Sequence, residues 1–283
     1  MVGIVNITRD SFSDGGRYLA AEDALTHAWQ LRSAGADIIE LGPSASHPGA
    51  ARVSAAEERQ RLAPVIGWLT AAGVPVSVDS LLPDTHRFAV ASGAAYLNDI
   101  QGFPDPGQYR ELAAAGCRLI VMHSVQRSGP AVKAPVPPEE AWAGIDRFFT
   151  GRLAALERAG VAADRLIIDP GLGYFLSSNP EASLVALAGL RHLRARFGLP
   201  VLVSPSRKSF LRALTGRGLA QTGPATLAAE LFAAWQGADY IRTHDVAALH
   251  DALTVVNAVT DQACPARDRA GPGDAAPGQR LSR

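Results

Sequence analysis

Short apolar runs recur along the chain at residues 3–6, 38–42, 76–80, 96–100, 119–123, 166–171, 201–208 and 240–245, and each ends in a small polar cluster. Runs of this length, bounded by turn residues, read as buried strands. Helical stretches lie between them at 21–35, 55–72, 84–93, 106–115, 139–160, 181–198, 224–236 and 246–260. The alternation predicts βα units around a parallel sheet. Gly35, Gly73, Gly93, Gly116, Gly160, Gly198 and Gly237 each follow a helical stretch and precede a strand. Glycine tolerates the left-handed position that ends a helix, so all seven are predicted helix stops. Ser54 and Glu57 predict a capping box. Pro64, inside the second stretch, predicts a kink or an earlier boundary.

Eight units of similar size favour closure into a (β/α)8 TIM barrel over an open doubly wound sheet. No G-x-G-x-x-G follows the first strand and no G-x-x-x-x-G-K-[ST] occurs, so the usual nucleotide sites of open sheets have no support. A barrel of this kind does its chemistry at the C-terminal ends of its strands, where the polar clusters fall. Loops 8–20, 42–54 and 124–138 are lids over that face or plain connections. Residues 265–283 are rich in Pro, Gly, Asp and Arg and cannot bury enough surface to offset ordering entropy. The expected organisation is one barrel domain over 1–262 and a disordered tail over 263–283.

An apolar fraction of 47% over 283 residues suits one large core. A formal net charge of zero argues against nucleic-acid binding driven by global charge. Cys117 and Cys264 are the only cysteines, and neither spacing nor context suits a disulfide, so a reducing, cytoplasmic compartment is expected. No apolar run approaches the ~18 residues of a membrane span.

Three strand-end groups stand out. Asp79 ends Val-Ser-Val-Asp, Asp169 ends Leu-Ile-Ile-Asp, and Asn98 precedes Asp99 in Tyr-Leu-Asn-Asp. One such acid can simply cap the next helix. Together they point to a pocket, and carboxylates plus an amide suit a planar heterocycle with amine donors. Ser206-Arg207-Lys208-Ser209 places two cations and two hydroxyls at the seventh strand end. Arg242 and His244 share one side of the eighth and, with Asn6, can clamp a phosphate or diphosphate. The plainer alternative pairs Arg242 with Asp245. His123, beside Met122, reads as ligand, base or packed side chain. No H-E-x-x-H and no cysteine pair at metal spacing occurs, which argues against a protein-only zinc site. Mg²⁺ carried in by a diphosphate needs only one or two protein oxygens, and Asn6 can be one.

These clusters carry a resemblance. The opening Gly3-Ile4-Val5-Asn6-Ile7-Thr8-Arg9-Asp10-Ser11-Phe12-Ser13-Asp14-Gly15-Gly16 is similar to the first-loop signature of the dihydropteroate synthase family, with Arg9 where Pro is usual. Val78-Asp79-Ser80, Asn98-Asp99-Ile100, Val121-Met122-His123, Ile168-Asp169-Pro170-Gly171, Ser206-Arg207-Lys208-Ser209-Phe210 and Ile241-Arg242-Thr243-His244-Asp245 follow in the family's order. The resemblance covers about residues 2 to 260. It implies that Asp79, Asn98, Asp169 and Lys208 hold a pterin, with Met122 nearby, and that Asn6 helps bind Mg²⁺. It implies that Arg242 and His244 take the diphosphate, that Arg207 and Ser209 face p-aminobenzoate, that the first two loops, with Ser46 and His47 in the second, close over the site and complete the aminobenzoate pocket, and that the enzyme is a homodimer.

The second strand end departs from the family. Glu40-Leu41-Gly42-Pro43-Ser44-Ala45-Ser46-His47-Pro48-Gly49 stands where Gly-Gly-Glu-Ser-Thr-Arg-Pro-Gly is common, so Ser46 keeps a hydroxyl and His47 replaces an arginine. Phe175, in Gly173-Tyr174-Phe175-Leu176, adds ring volume. These changes, with residues 98–106, resemble the sulfonamide-insensitive mobile forms of the enzyme. Phe175, Phe210 and the second loop are the candidates for excluding drug. A pterin-dependent methyl-transfer barrel and a catalytically silent pterin-binding homologue remain as alternatives.

Overall fold

The computed structural model describes residues 1–8, 21–126 and 128–263. Eight strands form: β1 (Val2–Asn6), β2 (Ile38–Gly42), β3 (Val76–Asp79), β4 (Tyr96–Asp99), β5 (Arg118–Met122), β6 (Leu166–Asp169), β7 (Leu202–Val203) and β8 (Tyr240–Thr243). They pair in the order β6-β5-β4-β3-β2-β1-β8-β7, every pair parallel. A single bridge between Ile168 and Val201, with the Ile168 amide donating to the Pro200 carbonyl at 3.0 Å, joins the two ends of the sheet. The result is the (β/α)8 barrel that the alternation predicts.

Alternate residues of each strand face opposite sides, and the two sides differ in chemistry. Val5, Ile39, Leu41, Val76, Val78, Leu97, Leu119, Val121, Ile168, Val203 and Ile241 join the large core beneath the helices. Val2, Ile38, Ile120, Ile167 and Leu202 form a separate cluster inside the barrel, with Tyr96 and Tyr240 against it. Two residues further along the inward-facing set stand Ile4, Glu40, Asn98, Met122, Asp169, Ser204 and Arg242. The barrel therefore holds an apolar floor and, one layer up, a mostly polar one.

The helices are α1 (Ala21–Ser33), α2 (Ala55–Ala71), α3 (Pro83–Ala91), α4 (Tyr109–Ala114), α5 (Pro138–Arg158), α6 (Pro180–Ala188), α7 (Leu190–Phe197), α8 (Ser209–Thr215), α9 (Gly223–Trp235) and α10 (Val246–Ala263). Ser54 caps α2 by accepting from the Glu57 amide at 3.2 Å, and α2 continues through Pro64 with no early boundary. The stretch 181–198 divides at Gly189, where any Cβ would collide with the Trp142 ring of α5. The expected seventh run shortens to two strand residues, because Ser204–Lys208 form the loop into α8, a helix that the pattern alone did not predict. The disordered-tail expectation, Cys264 and most of the first loop lie outside the described residues.

Six of the seven predicted glycine stops have positive φ. Gly116 does not, and α4 ends differently. The Arg165 guanidinium donates to the carbonyls of Leu112 at 2.8 Å, Ala113 at 3.0 Å and Cys117 at 2.8 Å. A cation thus satisfies the exposed helix end that a left-handed glycine would otherwise close. Arg165→Met keeps the side-chain volume but removes these donors. It is expected to cost about 2 kcal/mol of stability, read as a lower urea midpoint at unchanged slope.

Candidate active site

The polar barrel layer sets the site. Glu40, in the middle of β2, is 2% exposed. Arg242 Nη1 donates to Glu40 Oε1 at 2.7 Å, while Ser77 Oγ and Asn98 Nδ2 donate to Oε2 at 3.2 and 3.4 Å. Asp79 lies 4.0 Å from Arg242 Nη1 and keeps a fifth of its side chain exposed to the cavity. The buried Arg242 partner is therefore Glu40, across β1, rather than the neighbouring Asp245. Parallel register explains the reach: Glu40 sits level with Ile4, Arg242 with Val2, and the long arginine stem spans the two-residue stagger.

Above this layer opens a cavity. Ten of the residues predicted from sequence line it: Asn6, Ser46, His47, Asp79, Phe175, Arg207, Lys208, Ser209, Arg242 and His244. Lys208 Nζ stands 4.7 Å from the Phe175 ring centroid. Arg207 adopts φ 58°, an uncommon backbone for a residue with a side chain, and its amide donates to Thr226 Oγ1 at 3.1 Å. That turn delivers Lys208 and Ser209 to the cavity at the start of α8. Ser206 Oγ pairs with His244 Nδ1 at 2.9 Å and accepts from the His244 amide at 3.2 Å, locking the seventh strand end to the eighth. The Ala131 amide donates to the Ser46 carbonyl at 2.9 Å, so the second and fifth loops meet at the rim.

The other four predicted residues lie elsewhere. Asn98 and Asp169 belong to the buried layer beneath the cavity, Asp169 accepting from the Gly171 amide at 2.8 Å. Met122 packs with Ile100, Ala131 and Phe175. Phe210 joins the main core under the helices, since successive helical side chains point about 100° apart. His123 is packed: its Nδ1–H donates to the Pro170 carbonyl at 3.1 Å, Phe148 covers it edge-on, and burial lowers its pKa to about 4. Glu40 was not singled out from sequence, and Ser206 was read only as one hydroxyl of the seventh strand-end cluster. Glu40 carried the same signal as Asp79, an acid within an apolar strand, but two residues before the strand end.

Crowding of charge shifts the site's ionisation. Burial first, then Glu40, raises Asp79 to about 7 against the pull of Arg242. Burial raises Asp169 as well. Burial, then Arg242, lowers Lys208 to about 8. Burial opposes the Arg242 charge, but Glu40, Asp79 and Asp169 outweigh it, so Arg242 remains a cation. Asn98 Oδ1 and Arg242 Nε are buried with no hydrogen-bond partner among the described residues. Such groups hold bonding capacity in reserve for a ligand.

Acids and an amide within the barrel, with cations at its rim, define a barrel enzyme for a polar heterocycle bearing an anionic group. The pterin binding enzyme family matches residues 2–244. A dihydropteroate synthase type-2 of Escherichia coli is 54% identical over 92% of this chain and 96% of its own length. The Yersinia pestis dihydropteroate synthase solved with a sulfonamide drug superposes with a TM-score of 0.85 at 35% identity, covering 92% of this chain and 94% of that one. The Xanthomonas albilineans dihydropteroate synthase solved with 4-aminobenzoic acid gives 0.82 at 40% identity, covering 92% of each. The chain belongs to the pterin binding enzymes and, among them, to the dihydropteroate synthases.

Asp79 binds more protons in the folded than in the unfolded state between its ordinary 3.8 and about 7. Its ionisation therefore costs stability as pH rises through that window. Asp79→Asn is expected to flatten the fall in Tm between pH 4 and 7 and to add about 1 kcal/mol at pH 7.5 while losing activity. Parallel Tm-against-pH curves for parent and variant would contradict the assignment.

Proposed function

We propose that the chain condenses 6-hydroxymethyl-7,8-dihydropterin diphosphate with p-aminobenzoate, giving 7,8-dihydropteroate and diphosphate, and that it tolerates sulfonamides. The observation that carries the reaction is the buried layer of Glu40, Asn98, Asp169 and Arg242 beneath a cavity lined by Asp79, Lys208 and His244. The acids and the amide suit the amidine-like edge of a pterin, for which Asn98 Oδ1 keeps an open acceptor. Lys208 closes the pterin pocket beside Phe175, and Arg207 and Ser209 face p-aminobenzoate.

Arg242 and His244 bind the diphosphate and neutralise charge as the bond from the exocyclic methylene carbon to oxygen breaks, its electron pair leaving with diphosphate. The pterin ring stabilises the cation left at carbon. The arylamine lone pair then forms the new C–N bond, and the amine loses a proton to water at the open rim. The course is dissociative and needs no covalent enzyme intermediate. Among the described residues no group of three His, Cys, Asp or Glu is placed to cage a metal. Asn6 offers one hard oxygen donor on the cavity wall, which fits Mg²⁺ arriving on the diphosphate with most of its waters. Bound there, Mg²⁺ would supply further neutralisation of the leaving group.

The sulfonamide reading rests on Phe175, which narrows the wall beside Lys208, and on the resemblance to the insensitive mobile forms. Phe232 and Trp235 of α9 with Val255 and Val259 of α10 are exposed on two helices in contact, and suit the face of a homodimer. No helix among the described residues is long and apolar enough to cross a membrane, and the free thiol of buried Cys117 suits the reducing cytoplasm.

Dihydropteroate formation from the two substrates with Mg²⁺ is expected to persist in excess sulfamethoxazole. Abolition by the drug would remove the insensitivity and leave the enzyme. Phe175→Gly should lower the inhibitory concentration about 10-fold or more, with p-aminobenzoate still turned over. Lys208→Ala and Asp169→Ala should each weaken pterin diphosphate binding about 100-fold by calorimetry. Equal affinity in either variant would sink the pterin assignment.

A further inference from the structure

The loops around the cavity are joined by a buried string of side-chain hydrogen bonds that the reaction scheme does not use. Gln108 Nε2 donates to His86 Nδ1 at 2.9 Å, and His86 Nε2–H donates to the Ser80 carbonyl at 2.8 Å. Ser80 Oγ donates to Glu58 Oε2 at 2.5 Å and accepts from the Leu82 amide at 3.1 Å. Glu58 Oε1 accepts from Ser44 Oγ at 2.7 Å. Gln108, His86, Ser80 and Glu58 are at most 3% exposed.

Glu58, in the first turn of α2, is the member that reaches two loops at once. Ser44 opens the second loop, two residues before Ser46 and three before His47. Ser80 directly follows Asp79. A buried carboxylate whose hydrogen bonds among the described residues come from two hydroxyls costs stability compared with an apolar residue. Its geometry, one oxygen to each loop, does something an apolar residue could not: it sets the distance between the second loop and β3.

We infer that Glu58 is a positioning residue that holds the Ser44–His47 loop against Asp79, and so shapes the p-aminobenzoate end of the cavity. This rests on the synthase reading above. Glu58 touches no reacting group; it acts through Ser44 and Ser80. Its charge also lies among those that raise the Asp79 pKa, after burial, Glu40 and Asp99.

The test is steady-state kinetics with calorimetry on the full chain. Glu58→Ala should raise KM for p-aminobenzoate about 10-fold, because a loosened loop misplaces contacts by a fraction of an ångström or more. The pterin diphosphate Kd should stay within about twofold. Glu58→Gln keeps an oxygen acceptor and adds an amide donor that a serine hydroxyl can accept, so it should recover most of the loss. Ser44→Ala should reproduce the KM effect, and the double variant Glu58→Ala/Ser44→Ala should be no worse than Glu58→Ala alone. If Glu58→Ala fails to fold, Ser44→Ala carries the test, since it leaves α2 intact. An unchanged KM, an equal loss of both substrates, or additive single effects would overturn the tether. A parent protein without turnover would instead sink the synthase reading, so the two failures are distinguishable.

Discussion

The ion pair between Arg242 and Glu40 is the constraint around which the upper barrel is built. Its two side chains are 7% and 3% exposed, with the charged atoms 2.7 Å apart. Neither charge could sit there alone, since removing either partner leaves an unpaired buried charge worth several kcal/mol. With the pair in place, the layer and the cavity above it gather three acids, Glu40, Asp79 and Asp169, and two cations, Lys208 and Arg242. Burial first, then the Glu40 charge, raises the Asp79 pKa to about 7, so this carboxyl gives up its proton less readily than an ordinary aspartate. Amine donors facing that carboxylate would favour its charged form. The arrangement therefore suits a donor-rich heterocycle.

The two inward layers divide the labour. Val2, Ile38, Ile120, Ile167 and Leu202 fill the floor, and the larger core lies outside the strands beneath the helices. Both are apolar and close-packed, so they can offset an upper layer that is electrostatically costly. The same strand delivers both, two residues apart, which is why a short strand suffices. β6 contributes Ile167 to the floor, Asp169 to the site and Ile168 to the outer core. A change of register by one residue would exchange all three.

Most of the fold was legible because strand length, helix length and glycine stops repeat with one rhythm. The exceptions have local causes that a pattern cannot carry. A helical stretch divides at Gly189, where Trp142, distant in sequence, occupies the space a side chain would need. Gly116 is spared a left-handed turn because Arg165, 49 positions later, binds the helix-end carbonyls. α8 escaped notice because the loop that delivers Lys208 turns through a strained Arg207, and nothing in the local composition announces a left-handed arginine. At the site, strand-end acids and cations were readable one strand at a time. Glu40 carried the same signal two residues before its strand end, but its pairing could not be read there, because the partner lies 202 positions away.

His123 and Glu58 show the limit of residue type as a guide. His123 ends a strand, as a catalytic histidine would, yet a carbonyl and a phenyl ring take its nitrogen and its face, and burial keeps it neutral. Glu58 sits in an ordinary amphipathic helix start, where an acid suits the helix dipole and asks for no further explanation. The structure turns it inward between two loop serines. Chemistry in this barrel is assigned by what surrounds a side chain at the rim. Strand ends fix the reacting groups, and a buried acid from a helix fixes the loop that completes them. Change at the cavity wall, such as Phe175, can then proceed on a frame whose loop positions are held from behind.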